Sequence, residues 1–162
     1  MRSIRARAQA DSGSERDLSL CLDFERRQRT RQRVVLSNGE EAALSLPRGE
    51  VLRGGDLLLL EDDRVVRVVA APERLLHVTC ADAEALARIA YHLGNRHVAV
   101  QVGEGWLRIA PDHVLAAMVR GLGARTGVVE DAFEPEGGAY SHSHGQASEP
   151  VLAEALDYGS DH

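Results

Sequence analysis

The stretch "YHLGNRHVAVQVGEGWLRIAPDHVL", residues 91–115, decides how the second half of this chain folds. Val98, Val100 and Val102 alternate, which predicts a strand with His97, Ala99 and Gln101 on its other face. "GEG" at 103–105 then turns the chain into a second strand, "WLRIA", as a hairpin. Leu107 and Ile109 join the valines on one face, and Trp106 and Arg108 share the other with His97. Pro111 opens a helix, since proline suits the first helical position, and Leu115, Met118, Val119 and Leu122 form its apolar stripe.

The flanking segments complete the pattern. "RLLHVTC" at 74–80 reads as a strand and leads into "TCADAEALARIAYHLGN". There Thr79 and Asp82 have the spacing of a capping-box-like start, residues 83, 86, 90 and 93 keep helical spacing, and Gly94 is placed to stop the helix. "TGVVEDAF" at 126–133 adds a last strand. The order βαββαβ is the ferredoxin-like arrangement, in which two helices cover one face of an antiparallel sheet and leave the other open.

Before this lies a β-rich half. "LSLCLDF", "RVVLSNGEEAALSL" and "DLLLLEDDRVVRVVAA" are short strands punctuated by "SNGE", "PRGE", "RGGD" and "EDD", which predicts a small sandwich or barrel. The proline-containing "AAPE" at 70–73 marks the boundary. The fold class is therefore α+β: an all-β domain over 1–73, a ferredoxin-like domain over 74–140, and a flexible, histidine-containing tail over 141–162. Within the tail, "PVLAEALDY" is too short to hold a helix alone.

Charge narrows the function. Acidic residues outnumber basic ones for a formal charge of −6, which argues against a general nucleic-acid or anionic-membrane binder. "MRSIRARAQADSG" has charge but no apolar segment after it, and "LLLL" at 57–60 is far too short to span a bilayer. Cys21 and Cys80 lie far apart and form no CxxC pair, so they read as small hydrophobes in a reducing cytoplasm. The run "ERRQRTRQR" alternates its arginines at 27, 29, 31 and 33, which predicts one exposed strand face. No aromatics interleave there for base stacking.

Seven histidines are the main chemical signal. His97 shares the uncovered sheet face with the sole tryptophan, a pairing that suits an interface. Were that interface two-fold, a residue near the axis would meet its own copy, and two imidazoles would begin a metal site. The same spacing also suits an exposed histidine ending a loop. His113 falls opposite the apolar stripe of its helix, close to an N-terminus that disfavours a positive charge, which suits a metal ligand or an ordinary exposed residue. His142 and His144 form an H-x-H in the tail that can chelate a borderline metal, and a coil of about ten residues reaches about 17 Å. His162 can join from further off, His77 faces the open side, and His92 complements a helix end. There is no phosphate loop, HExxH or GxSxG elbow, and no carboxylate in an apolar run to mark a tuned acid or base.

The stretches "LPRGEVLRGGDLLLLEDDRVVRVVAAPE", "AYHLGNRHVAVQV" and "PDHVLAAMVRGLG" together resemble the UreE family of urease accessory proteins, the nickel metallochaperones of urease maturation. The resemblance runs from about Leu18 to Tyr140. It implies an N-terminal β domain that engages partners and a ferredoxin-like metal-binding domain that dimerises, with no enzymatic activity. The histidine of the family's GNRH motif, matching His97, would bind Ni²⁺ at the homodimer interface from both subunits. His142 and His144 match the family's tail histidines by location only and would complete or feed that site. Delivery would run to the urease apoprotein complex through the maturation GTPase UreG, in the cytoplasm, with no nucleic acid or membrane involved. Cu²⁺ and Zn²⁺ can occupy the same ligands in vitro.

Two departures shape the expectation. Some members carry a histidine two residues before the one matching His113; here that position is Pro111, which weakens a second site there. The tail has three histidines, which implies delivery rather than storage. The contrasting reading is a metal-independent adaptor that binds a protein in a maturation complex. A metal-dependent hydrolase ranks last, because no carboxylate is placed beside an open coordination position.

Overall fold

The computed structural model describes residues 2–7 and 18–138. Its first half contains β1 (Arg2–Arg7), β2 (Leu18–Leu22), α1 (Phe24–Arg27), β3 (Arg31–Val35), β4 (Glu41–Ser45), β5 (Leu57–Leu60) and β6 (Val65–Ala70). Leucine, valine and alanine at even-numbered positions (Leu20, Leu22, Val34, Leu44, Leu58, Val66) point into one core, because side chains along a strand alternate between faces. The strands form a single six-stranded sheet in the order β2-β6-β5-β1-β4-β3. Its two ends meet where the Ser37 N–H donates to the Ser19 carbonyl at 2.9 Å and the Ser19 N–H to Ser37 Oγ at 3.0 Å. The expectation of a sandwich or barrel resolves as one curled sheet around one core.

Strand β1 is absent from the sequence reading, yet it lies inside the sheet, parallel to β4 and antiparallel to β5. Ile4 is its one fully buried anchor among the described side chains. A strand held by backbone pairing on both sides needs little apolar signal of its own.

The second half contains β7 (Pro72–Thr79), α2 (Ala83–Asn95), β8 (Gln101–Gly103), β9 (Trp106–Ile109), α3 (His113–Gly121) and β10 (Arg125–Ala132). Its sheet is antiparallel throughout, in the order β10-β7-β9-β8. Ile89 and Leu93 of α2 and Val119 of α3 pack on Val78, Leu107 and Ile109.

Several local expectations need correction. Residues 98–100 are not in a strand; β8 is only Gln101–Gly103. Val98 and Val100 pack against the core, whereas Val102, at the sheet edge, is 53% exposed. His97 therefore belongs to the end of α2 and not to a sheet face. That helix runs past Gly94 to Asn95, and its N-cap is Asp82, whose carboxylate accepts from the Ala85 N–H at 2.8 Å; Thr79 stays in β7. In α3 the N-cap is Asp112, one residue after Pro111, and Leu122 is an exposed C-cap.

The arginine run is the largest departure. Arg29, Arg31 and Arg33 are exposed, but Arg27 ends α1 with no solvent exposure at all. Its Nε donates to the Leu22 carbonyl (3.3 Å), Nη1 to the Leu52 carbonyl (3.2 Å) and to Glu134 Oε1 (2.8 Å), and Nη2 to the Phe133 carbonyl. Phe24 stacks edge-on to Phe133 at 5.3 Å, and the Phe24 N–H donates to Glu73 Oε2 at 2.8 Å. Burial pushes the guanidinium below its ordinary pKa, opposed chiefly by Glu134. Removing one partner of a buried pair strands the acceptors around it, so Arg27→Met should cost about 3–5 kcal/mol. The urea midpoint measures this; a midpoint equal to wild type would contradict the junction.

Candidate metal centre

His97 is held by the way α2 ends. The helix is C-capped by Arg96, whose N–H donates to the Leu93 carbonyl at 3.1 Å. The His97 N–H then donates to the Gly94 carbonyl (3.0 Å) and the Val98 N–H reaches back to Leu93 (3.4 Å). This is the Schellman pattern, with Val98 and Leu93 making its apolar contact in the core. The pattern requires a left-handed residue after the cap, and His97 adopts φ +55°.

Helix α3 ends the same way with the usual residue in that place. Gly123 sits at φ +95° and donates to Arg120 (3.0 Å), while Ala124 donates to Val119 (3.0 Å). The only other non-glycine at positive φ among the described residues is Asp63, in the β5–β6 turn, where aspartate is tolerated. A non-glycine in this conformation costs about 1–2 kcal/mol, and such strain concentrates at functional positions. The turn leaves an exposed histidine just past the negative end of a helix dipole, a place that favours a cation.

The remaining histidines are dispersed. His113 is the first residue of α3 and is exposed, with no described contact to His97. His142, His144 and His162 lie outside the described residues. His92 packs edge-on to Tyr91 at 5.5 Å. Among the described residues no three of His, Cys, Asp and Glu gather as a metal site, so any such site at His97 needs donors from elsewhere.

The open sheet face carries a different assembly. His77 Nδ1 accepts from Arg108 Nε at 3.2 Å, and Arg108 Nη1 donates to Asp131 Oδ2 at 2.7 Å. The guanidinium lies 4.2 Å from the Trp106 ring centroid, and His77 and Trp106 are 5.4 Å apart. Trp106 lies over Gly103, where a Cβ would fall 2.1 Å from the ring. Alternation along the strands predicted that His77, Trp106 and Arg108 share a face. Asp131 was missed, because its place depends on β10 pairing with β7.

One further connection involves the chain leaving β10. The Glu134 N–H donates to Gln101 Oε1 (3.2 Å) and the Glu136 N–H to the Val100 carbonyl (2.8 Å). The segment that leads into the tail thus runs beside the residues that follow His97.

Comparison with known proteins agrees with this architecture. The family model described as "UreE urease accessory protein, N-terminal domain" matches residues 2–71, and its C-terminal counterpart matches residues 73–162. The urease accessory protein UreE of Azotobacter vinelandii is 52% identical over 158 residues, covering 94% of this chain and 95% of that protein. Those of Pseudomonas fluorescens (55% over 126 residues; 77% and 76% covered) and Nitrosospira multiformis (51% over 144; 86% and 81%) are similar. Both domains match, in order, so the chain has the two-domain, strand-rich build of an accessory protein and not of an enzyme. It belongs to the UreE family of urease accessory proteins. Among the described residues no helix is long and apolar enough to cross a membrane.

Two outcomes follow. His97→Gly should melt at or above the wild type, by up to about 1 kcal/mol, whereas β-branched His97→Val should melt clearly below it. Equal melting of the two variants would contradict the left-handed backbone. For His77, burial first and Arg108 second lower the pKa, so protonation is disfavoured in the folded state. Its contribution to stability is complete above the ordinary histidine range near pH 6.5 and is lost as pH falls toward the lowered folded value. Urea midpoints between pH 7 and 5 should therefore drop further for wild type than for His77→Gln.

Proposed function

We propose that this protein is a nickel metallochaperone of urease maturation. Two copies associate through their C-terminal domains and hold one Ni²⁺ between the paired His97 imidazoles, and His142 or His144 joins from the tail. The observation that carries this is His97 itself: an exposed imidazole retained where the matching helix end uses Gly123. The bond from Glu136 to Val100 supports the tail's part, because His142 lies six residues beyond Glu136 and so within roughly 20 Å of it.

In this reading the domains divide as 1–73, 74–140 and 141–162. The strand order β10-β7-β9-β8 over βαββαβ supports a ferredoxin-like fold for the second. The N-terminal domain engages the maturation machinery, and Ni²⁺ passes to the urease apoprotein by way of the GTPase UreG, in the cytoplasm. Imidazole suits Ni²⁺, and ligands supplied by separate segments allow stepwise release. Cu²⁺ would bind the same ligands more tightly, so nickel identity rests on supply and partner. His113, with Pro111 ahead of it, is at most a secondary ligand.

A calorimetric nickel titration with mass determination in solution tests the proposal on the full chain, His97→Gly and a truncation after Tyr140. Because glycine relieves the backbone strain, loss of metal in His97→Gly cannot be ascribed to unfolding. The expected result is one tight Ni²⁺ per dimer, lost in His97→Gly and weakened by truncation. Undiminished binding in His97→Gly would overturn the site and assign the metal to the tail histidines, whereas partner binding unchanged by removal of nickel or of His97 would favour a metal-independent adaptor.

A further inference from the structure

The run at residues 25–33 contains five arginines, and three of them are held by the fold. Arg27 is buried; Arg26 donates from Nε to Gln32 Oε1 (3.1 Å) and from Nη2 to the Arg33 carbonyl (3.0 Å); Arg29 pairs with Glu25. Arg31 and Arg33 remain. Both are exposed on β3 together with Val35, because Val34 points into the core and sends its odd-numbered neighbours outward. Val35 is 59% exposed, more than the other exposed large apolar side chain described in this domain, Val69 at 39%. Alternate side chains on one strand face stand about 6.7 Å apart, so the row reads cation, cation, apolar at even intervals.

The surroundings of the row are small. Ser45 lies opposite Arg31, Ala43 opposite Arg33, and Ser3 opposite Ala43 on the next strand. Glu41, the one acid in β4, stands opposite Val35 at the apolar end. Neither guanidinium pairs with an acid among the described residues. The backbone edge of β3 is already engaged, since the Arg33 carbonyl accepts from Arg26 and the following Ser37 N–H is bonded to Ser19. The surface therefore offers a row of side chains and not a free strand edge.

We infer that Arg31, Arg33 and Val35 form a docking row for an extended acidic segment of a partner protein, one with two carboxylates two residues apart and an apolar side chain two residues further on. The row belongs to the N-terminal domain and is independent of the metal site. Guanidinium and carboxylate are planar and pair through two parallel hydrogen bonds. In an extended segment, residues i and i+2 share a face at the same spacing of about 6.7 Å, so both carboxylates meet their arginines together. A nucleic acid fits less well. The row and its neighbours provide no aromatic side chain for a base to stack on, two cations neutralise few phosphates, and the whole chain carries a charge of −6. A short segment responds to the local cations, because physiological salt screens charges beyond about 8 Å.

The test is fluorescence anisotropy with two labelled peptides, titrated with the full chain at low and at physiological salt. One peptide has the order Thr-Glu-Thr-Glu-Thr-Val-Thr. The other has the same composition in the order Thr-Glu-Glu-Thr-Val-Thr-Thr, which sends its carboxylates to opposite faces of an extended segment. The alternating peptide should bind about threefold or more tightly than its isomer, and weaken as salt rises. Arg31→Glu with Arg33→Glu should cost it about tenfold or more, and Val35→Ser about two- to threefold. Arg31→Lys with Arg33→Lys keeps the charge, loses the planar fork and guards against loss of folding; its affinity should fall between wild type and the glutamate pair. The same change of net charge made in the C-terminal domain, by Arg88→Glu with Arg125→Glu, should leave binding within about twofold. Equal binding of the two peptides, no binding of either, or undiminished binding by the Arg31→Glu, Arg33→Glu variant would overturn the docking row. Tighter binding of a labelled oligothymidylate than of the alternating peptide would also overturn it and assign the row to nucleic acid.

Discussion

The structure depends on one buried cation. Arg27 is the only charged residue fully withdrawn from solvent among the described residues, and it is surrounded by carbonyls from Leu22, Leu52 and Phe133 and by the Glu134 carboxylate. These acceptors come from distant parts of the chain, so the guanidinium is satisfied only when α1, the loop before β5 and the segment after β10 are all in place. Lysine could not substitute: its ammonium is a point donor, whereas the planar guanidinium spreads donors to several acceptors at once. Removing water from such a group carries a large penalty, which the surrounding acceptors must offset together. That requirement ties the N-terminal sheet to the exit of the C-terminal one.

A second constraint acts at the end of α2. Two helices of the same domain finish with the same hydrogen-bond pattern, yet one uses Gly123 and the other His97. Backbone cost favours glycine at both. A histidine at the strained position has its backbone fixed by the hydrogen bond to the Gly94 carbonyl and by Val98 seated in the core. Such anchoring suits a ligand that must meet its partner at a reproducible place.

The open face of the C-terminal sheet has another character. Cross-strand neighbours His77, Arg108 and Trp106 are fixed by the β7–β9 register, and Asp131 completes the row from β10. Arg108 occupies the imidazole nitrogen that faces it, so His77 is committed to the sheet through that atom. The glycine at 103 gives the indole its place. This face is therefore a preorganised aromatic and ionic surface, separate from the helix end that carries His97.

Much of this was legible in the residues. Alternating leucines and valines announced the strands of the N-terminal core, and helical spacing announced α2 and α3, because periodicity reports which side of an element leaves water. The residue types at the helix starts were also readable, although the capping aspartates sit one or more positions from where spacing alone suggested. What the sequence could not disclose was every feature set by partners far along the chain. β1 carries few apolar residues and owes its place to neighbours on both sides. Arg27 sits in a run that looks solvated, and its burial depends on Glu134, 107 residues away. His97 has the same letter whether it ends a strand or caps a helix; only the packing of Leu93 and Val98 in one core selects the left-handed turn. Local pattern determines which residues seek burial, whereas the competition for a shared core and for hydrogen-bond partners decides where each one ends.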